Sequence, residues 1–422
     1  MGKKFLGLLV AGLCAWPAGA FAASTQVDSL IEKLVEKGIL TKSEARELKM
    51  EIAEDAKALQ EDSVKSTLPE WIQNTKIKGD VRVRYQYERQ KNDTEARSRG
   101  RARFRLGLDN TINDQWKIGA GLATSEVGST TDDARSTNMT FTDGFRRGDI
   151  RLDYAFAQYQ PAPWFKGITG KYIKSDYLWA PTDMLWDTDI NPAGGSVHLE
   201  HALTGHLSAY ANSGVWVIDE NGKTDRADPF LVYNQGGVKF KQPNYDFNLA
   251  GVFYGFNAVK GAAMDGTAST NTLTGTVLRY DYDAFGGSAE FGINNPTAGI
   301  LPIPRLAFFG DIIQNIDSGG DEDGRTGSAV DEGTGWAAGF KFGDDKVNGK
   351  GQWQWKYQYT NLGANAWPDA FPDSDRLGGR TDVRGHEAIL EYGLSKNVVL
   401  GLDYYQDDRI KGAENAQKLI QA

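Results

Sequence analysis

From Lys76 onward the chain alternates with a period of two. Ile77, Gly79, Val81, Val83, Tyr85 and Tyr87 interleave with Lys78, Asp80, Arg82, Arg84, Gln86 and Glu88. Successive side chains on a strand point to opposite faces, so this segment has one apolar or aromatic face and one charged face. Ala102, Phe104, Leu106 and Leu108 against Arg101, Arg103, Arg105 and Asp109 repeat the pattern. So do Trp353, Trp355, Tyr357 and Tyr359 against Gln352, Gln354, Lys356 and Gln358. A helix of period 3.6 cannot present such faces.

Alternation alone also suits a soluble sandwich. Three further features point to a sheet that closes on itself in lipid. The strands run to about 10–13 residues, the length of a tilted membrane crossing. Tight connections such as Asn113-Asp114, Pro243-Asn244 and Ser395-Lys396 alternate with long polar segments at 126–146, 175–194, 219–229, 258–272, 316–334 and 361–380. Trp and Tyr gather near strand ends on the apolar face, as in an interfacial girdle. The expected fold class is all-β, a transmembrane antiparallel β-barrel of about sixteen strands over residues 76–422, preceded by a short α-helical segment. The first strand is expected at 76–88, the tenth at 274–293 and the last at 416–422. Tight turns belong to the periplasmic side and long loops to the outside.

Composition agrees. Hydrophobic residues are 40% and charged residues 24%, and only Phe5–Ala15 approaches the roughly 20-residue apolar run a membrane helix needs. A net charge of −9 disfavours general nucleic-acid binding. Lys3 and Lys4, the apolar stretch and Ala20-Phe21-Ala22 read as a signal peptide over residues 1–22. The single cysteine, Cys14, falls inside it, so the exported chain is expected to hold together without disulfides. Residues 23–68 read as a periplasmic helical or coiled-coil segment. Val27, Leu30, Ile31, Leu34 and Val35 follow helical spacing, and Thr41-Lys42-Ser43-Glu44 makes a capping box before a second helix. Its expected roles are self-association or docking to the barrel or to peptidoglycan, against a plain flexible appendage.

Sixteen strands enclose water where about eight would pack shut. Arg82, Arg84, Arg99, Arg101, Arg103 and Arg105, with Arg151 extending them, form a candidate basic wall on two adjacent strands and a third. Asp183, Asp187 and Asp189 on the connection at 175–194 are the candidate opposing charges. If that loop folds inward, the acids and the arginines set a transverse field across a constriction. The alternative is that the arginines pair locally and only solvate the lumen.

The run Leu185-Trp186-Asp187-Thr188-Asp189-Ile190-Asn191-Pro192 is recognisable, as are Phe309–Asn315, Gly335–Gly343 and Asp373-Ser374-Asp375 before Thr381–His386. With these blocks the chain resembles a bacterial putative-porin family that carries an N-terminal helical segment, over roughly Asp28 to Ile420. The resemblance implies an outer-membrane barrel for passive uptake of small hydrophilic solutes or ions. Barrels of this kind end on an aromatic residue, whereas this sequence ends Leu419-Ile420-Gln421-Ala422. The last strand is therefore expected to be cut short, or to close the barrel with few residues.

No nucleophile elbow, zincin or P-loop is present, and neither an enzyme nor a cofactor is expected. His198 and His201 fall on opposite faces by strand parity, and Asp321-Glu322-Asp323-Gly324 lacks EF-hand spacing, so no metal site is expected. The competing functions are a diffusion porin assembled as a homotrimer in outer-membrane lipid and lipopolysaccharide, a substrate-specific channel, and a tether that joins barrel to cell wall.

Overall fold

A computed structural model describes residues 68–93, 95–126, 133–145, 147–222, 227–264, 270–317, 332–411 and 415–422. The signal peptide expected over 1–22, the helices expected in 23–68 up to residue 67, and the acidic run at 321–324 lie outside the described residues. The chain divides into two units at Asn74/Thr75. Of the first, the described part holds one helical turn, Glu70–Gln73, entered through Pro69. Pro suits a helix start because it lacks an amide hydrogen that would go unpaired there.

The second unit is the barrel. Among the described residues its strands are β1 (Thr75–Gln90), β2 (Arg97–Thr111), β3 (Trp116–Ser125), β4 (Asp149–Ala162), β5 (Phe165–Lys171), β6 (Ala193–Ala202), β7 (Leu207–Val217) and β8 (Phe230–Lys241). They continue as β9 (Tyr245–Asn257), β10 (Ala284–Asn294), β11 (Arg305–Asn315), β12 (Thr334–Gly343), β13 (Trp353–Leu362), β14 (Val383–Ser395), β15 (Val398–Arg409) and β16 (Gln417–Gln421). Each pairs antiparallel with the next, and β1 also pairs with β16, so the sheet closes. In hydrocarbon a closed sheet is required because lipid offers backbone groups no hydrogen bonds. Ile77, Val81 and Val83 are each more than 70% exposed, as are many other apolar residues at outward positions. Acyl chains cover that surface in a membrane.

Closure uses few residues. Gln86–Gln90 of β1 pair with Gln417–Gln421, and backbone bonds from Lys91 to Ala416 and between Tyr85 and Ala422 extend this ladder by one residue at each end. β16 thus meets only the loop-side end of β1, overlapping the 76–88 span expected from the sequence at residues 85–88. Residues 75–84 of β1 have no described partner on that edge.

The tenth strand is corrected. The expected 274–293 begins too early, because the preceding segment does not cross the membrane. Leu273–Thr274 and Val277–Leu278 form a small hairpin around Gly275, whose φ of +67° favours glycine. Leu278 and Tyr282 are buried there.

The interior is also less uniformly wet than alternation implies. Trp216, Tyr233, Tyr254 and Phe256 occupy inward positions on β7, β8 and β9 and are buried. Three connections pack on them: 172–192, 258–283 and 363–382, supplying Tyr172, Tyr177, Met184, Trp186, Val259, Leu278, Tyr282 and Trp367. Trp186 is the hub, with ring centroids 5.2 Å from Trp216, 5.2 Å from Trp367 and 4.9 Å from Phe371. Aromatics bury about 150–250 Å² each, so this cluster gives the loops a core of their own inside the barrel.

Candidate pore constriction

The β1–β2 register builds the basic wall. Arg82 lies opposite Arg103, and Arg84 opposite Arg101. Like charges directly across a sheet repel, so the wall needs compensation, and each arginine finds some. Arg84 Nη1 is 3.4 Å from Asp375 Oδ2, and Arg99 Nη2 is 3.7 Å from Glu88 Oε2. Arg103 Nε donates to Asp80 Oδ2 at 2.9 Å, and its Nη1 is 3.9 Å from Asp189 Oδ1. Arg105 Nη2 donates to Asp189 Oδ1 at 2.5 Å and to Thr137 Oγ1 at 2.9 Å. Arg82 and Arg101 find neutral acceptors: Asn138 Oδ1 at 2.8 Å for the first, Gln86 Oε1 at 3.3 Å and Ser136 Oγ at 3.2 Å for the second. Six guanidinium groups thus face four carboxylates. Arg151 Nη2 is 3.9 Å from Asp149 Oδ2 and lines the same void as Asp189.

Of the three acids expected opposite the wall, the fold brings one to it. Asp189 accepts from Arg105 and, through Oδ2, from the Thr137 amide at 3.2 Å and hydroxyl at 3.0 Å. Burial pushes its pKa up, but Arg105 and Arg103 outweigh burial and hold it below the usual carboxylate range. Asp187 turns away and accepts from the amides of Asp189 and Ser374, each at 2.8 Å. Burial, reinforced by the Asp189 charge, raises its pKa to about 7. Asp183 accepts from Gln358 Nε2 at 3.2 Å, on the β13 side of the barrel. Lys174 Nζ binds the Asp187 and Ile190 carbonyls, and burial lowers its pKa to about 8.

Two elements were not legible as site residues. The first is 133–140, whose Ser136, Thr137 and Asn138 lie directly on the arginines. Arg135, buried, fixes this segment by donating to the Asp369 and Gly379 carbonyls at 3.1 and 2.9 Å. Its run of short polar side chains was the available signal. The second is Arg376 in the connection 363–382, which donates to Asp407 Oδ1 at 2.8 Å and Glu387 Oε2 at 3.0 Å. Burial opposes its charge, yet Asp407, Glu387 and Asp373 outweigh burial and raise its pKa.

Three voids follow the basic wall. One of about 140 Å³ touches Glu88, Arg99, Arg101 and Asp375. It shares Asp133 and Ser136 with a second of about 70 Å³, beside Arg151. The second shares Asp153, Asp189 and Asn191 with a third of about 260 Å³, beside Lys78, Asp80 and Arg105. Tyr154 lines the third void and lies so close over Gly107 that a Cβ there would sit 2.0 Å from its hydroxyl.

The sequence of this barrel matches a family described as "Putative porin" over residues 86–297 and 305–421. The chain belongs to that family. It is therefore an outer-membrane porin, a channel for passive diffusion of small hydrophilic solutes. Several solved porin structures are similar to it at low identity. The high-pH structure of Pseudomonas putida OprB is 10% identical, covering 82% of this chain and 94% of that one, with a TM-score of 0.48. A loop L8 deletion mutant of Vibrio cholerae OmpT is 11% identical, covering 82% and 99%, with a TM-score of 0.44. A mutant of Rh. blastica porin is 8% identical, covering 82% and 99%, with a TM-score of 0.41. No curated protein matches the chain. The porin's sequence offers His198 and His201 on one strand. His198 bonds Asn212 Oδ1 inside at 2.6 Å, while His201 is exposed on the other face.

Proposed function

We propose that solutes cross this porin along the arginine wall and that its narrow point is the junction of Arg103, Arg105, Thr137 and Asp189. The wall then comprises Arg82, Arg84, Arg99, Arg101, Arg103, Arg105 and Arg151, with Asp189 as the loop acid that sets the local field. Asp183 and Asp187 act as anchors of their loop. The observation that carries this reading is that the six wall guanidinium groups of β1 and β2 ion-pair with only four carboxylates, Asp80, Glu88, Asp189 and Asp375, while Arg82 and Arg101 rest on neutral acceptors. A basic wall that is only partly compensated raises the local concentration of anions, so the preferred solutes are small hydrophilic anions. Substituting Arg101, Arg103 and Arg105 with Gln and measuring reversal potentials in planar bilayers tests it. The expected result is a several-fold fall in anion over cation permeability; unchanged reversal potentials would remove these residues from the path.

The remaining parts of the reading are a homotrimer without enzymatic activity, a leader removed at residue 22, and helices within 23–68 that hold the barrel to peptidoglycan. The packing of three loops into the lumen favours a narrow, solute-selective channel over a wide sieve. Liposome swelling with sugars and carboxylates of matched size separates the two.

A further inference from the structure

The outward face of the barrel carries an asymmetric set of cations. On β6–β12 every lysine and arginine (Lys239, Lys241, Arg305 and Lys341) falls at an inward position, as strand parity requires. On the arc from β14 to β1, inward cations such as Arg82, Arg84 and Arg409 are joined by outward ones. Arg384, Lys418 and Arg89 occupy outward positions and are exposed. They lie close together. Arg89 pairs with Lys418, Lys418 with Gln406, Gln406 with His386, and His386 with Tyr359, making one lateral row across five strands. Arg384 lies two residues above His386, opposite Asp408. All sit within a few residues of the long-loop ends of their strands, which places them at the headgroup level of the outer leaflet.

Charges on a lipid-facing surface are costly at the midplane and tolerated near the interface. Tolerance does not explain why Arg89, Arg384 and Lys418 form no ion pair among the described residues, or why they share one arc. The acid opposite Arg384, Asp408, has Oδ1 occupied by the amides of Arg409 and Asn415 at 2.8 and 3.0 Å. Below the row the surface is aromatic and apolar: Tyr87, Ile420, Tyr404, Ala388 and Tyr357 form the next lateral row, with Leu402, Leu390 and Trp355 beneath. The Tyr357 hydroxyl is 2.7 Å from His386 Nδ1 and the Tyr404 hydroxyl donates to Gln406 at 3.1 Å, so the lower rings are fixed to the polar row.

We infer that this arc is a docking site for the phosphorylated headgroup of lipid A, the membrane anchor of lipopolysaccharide. Arg89 with Lys418 forms one cationic centre and Arg384 a second, separated by two strand spacings from Lys418 to Arg384, about 10 Å. A disaccharide phosphorylated at both ends presents two anions at a comparable separation, and guanidinium groups match phosphate with paired hydrogen bonds. Acyl chains descend over the aromatic and apolar rows. The site depends on outer-membrane residence and not on the permeation path, whose residues lie on the opposite face of the sheet.

Native mass spectrometry of the full-length porin in detergent, titrated with bisphosphorylated, monophosphorylated or dephosphorylated lipid A, tests it. Wild type should retain the bisphosphorylated form best and the dephosphorylated form least. Arg89→Gln/Arg384→Gln/Lys418→Gln should weaken retention of the bisphosphorylated form by about a hundredfold, with single-channel conductance unchanged. The variant Arg89→Lys/Arg384→Lys/Lys418→Arg controls for folding and should keep most of the binding. Equal retention by wild type and the Gln variant, equal retention of the three lipids, or equal competition by phosphatidylglycerol would overturn the assignment.

Discussion

Arg105 Nη2 and Asp189 Oδ1 meet at 2.5 Å, joining the second strand of the barrel to the connection between β5 and β6. The contact is shared with Thr137, so two separate loops converge on one arginine. Asp189 also borders two of the voids along the basic wall. The side chains at this junction hold the loop in place and sit beside the space a solute would use.

Asp189→Asn removes one carboxylate from a wall already short of them. Anion selectivity should rise, opposite in direction to the arginine-to-glutamine substitutions. Reversal potentials in a salt gradient read the sign directly, and a shift toward cations would contradict the placement of Asp189 on the path. The effect should shrink at high ionic strength, where screening is strong.

Arg376 is buried between Glu387 and Asp407. Arg376→Met leaves the buried Asp407 without its ion-pair partner and Glu387 with only Lys356, at 3.8 Å, a change that costs about 3–5 kcal/mol. Urea midpoints of the detergent-solubilised protein should fall accordingly. Adding Glu387→Gln and Asp407→Asn should recover part of the loss, because the stranded charges are then gone.

Trp186 touches rings from the wall and from the connection 363–382. Trp186→Ala should cost about 3–5 kcal/mol of packing. Because the loss falls on loops inside a barrel that stays paired, the clearest readout is larger, noisier conductance with the strand signal in circular dichroism retained. Conductance identical to wild type would show that these loops do not narrow the channel.

Asp187 links the loop at 172–192 to Ser374. Its folded pKa, about 7, lies above the ordinary carboxylate value because of burial. The folded state therefore holds a proton that the unfolded chain releases near pH 4. The associated stability is fully present below that value and is lost as pH rises through about 7. Urea midpoints should decline over this window, and Asp187→Asn should flatten the decline. A midpoint that rises with pH over this range in wild type and not in the variant would reverse the sign.

The sequence alone determined the barrel. Period-two alternation fixes which side chains face lipid, and the rhythm of short and long connections fixes strand count and sidedness; fifteen of the sixteen strands lie within a few residues of expectation. It also placed six arginines on one wall, since register between neighbouring strands follows from parity and a short connection. Tertiary structure decided what fills the lumen. Trp216, Tyr233 and Tyr254 alternate like girdle residues, and nothing local says that their face is covered by loops instead of water. That depends on Trp186 and Trp367, far away in sequence, finding the same space. The tenth strand was misplaced for the same reason: Leu278 and Tyr282 are apolar because loops bury them, not because lipid does. Which of three aspartates reaches the arginines was likewise decided by packing, because a loop of some twenty residues has many ways to present its charges and only its contacts choose one.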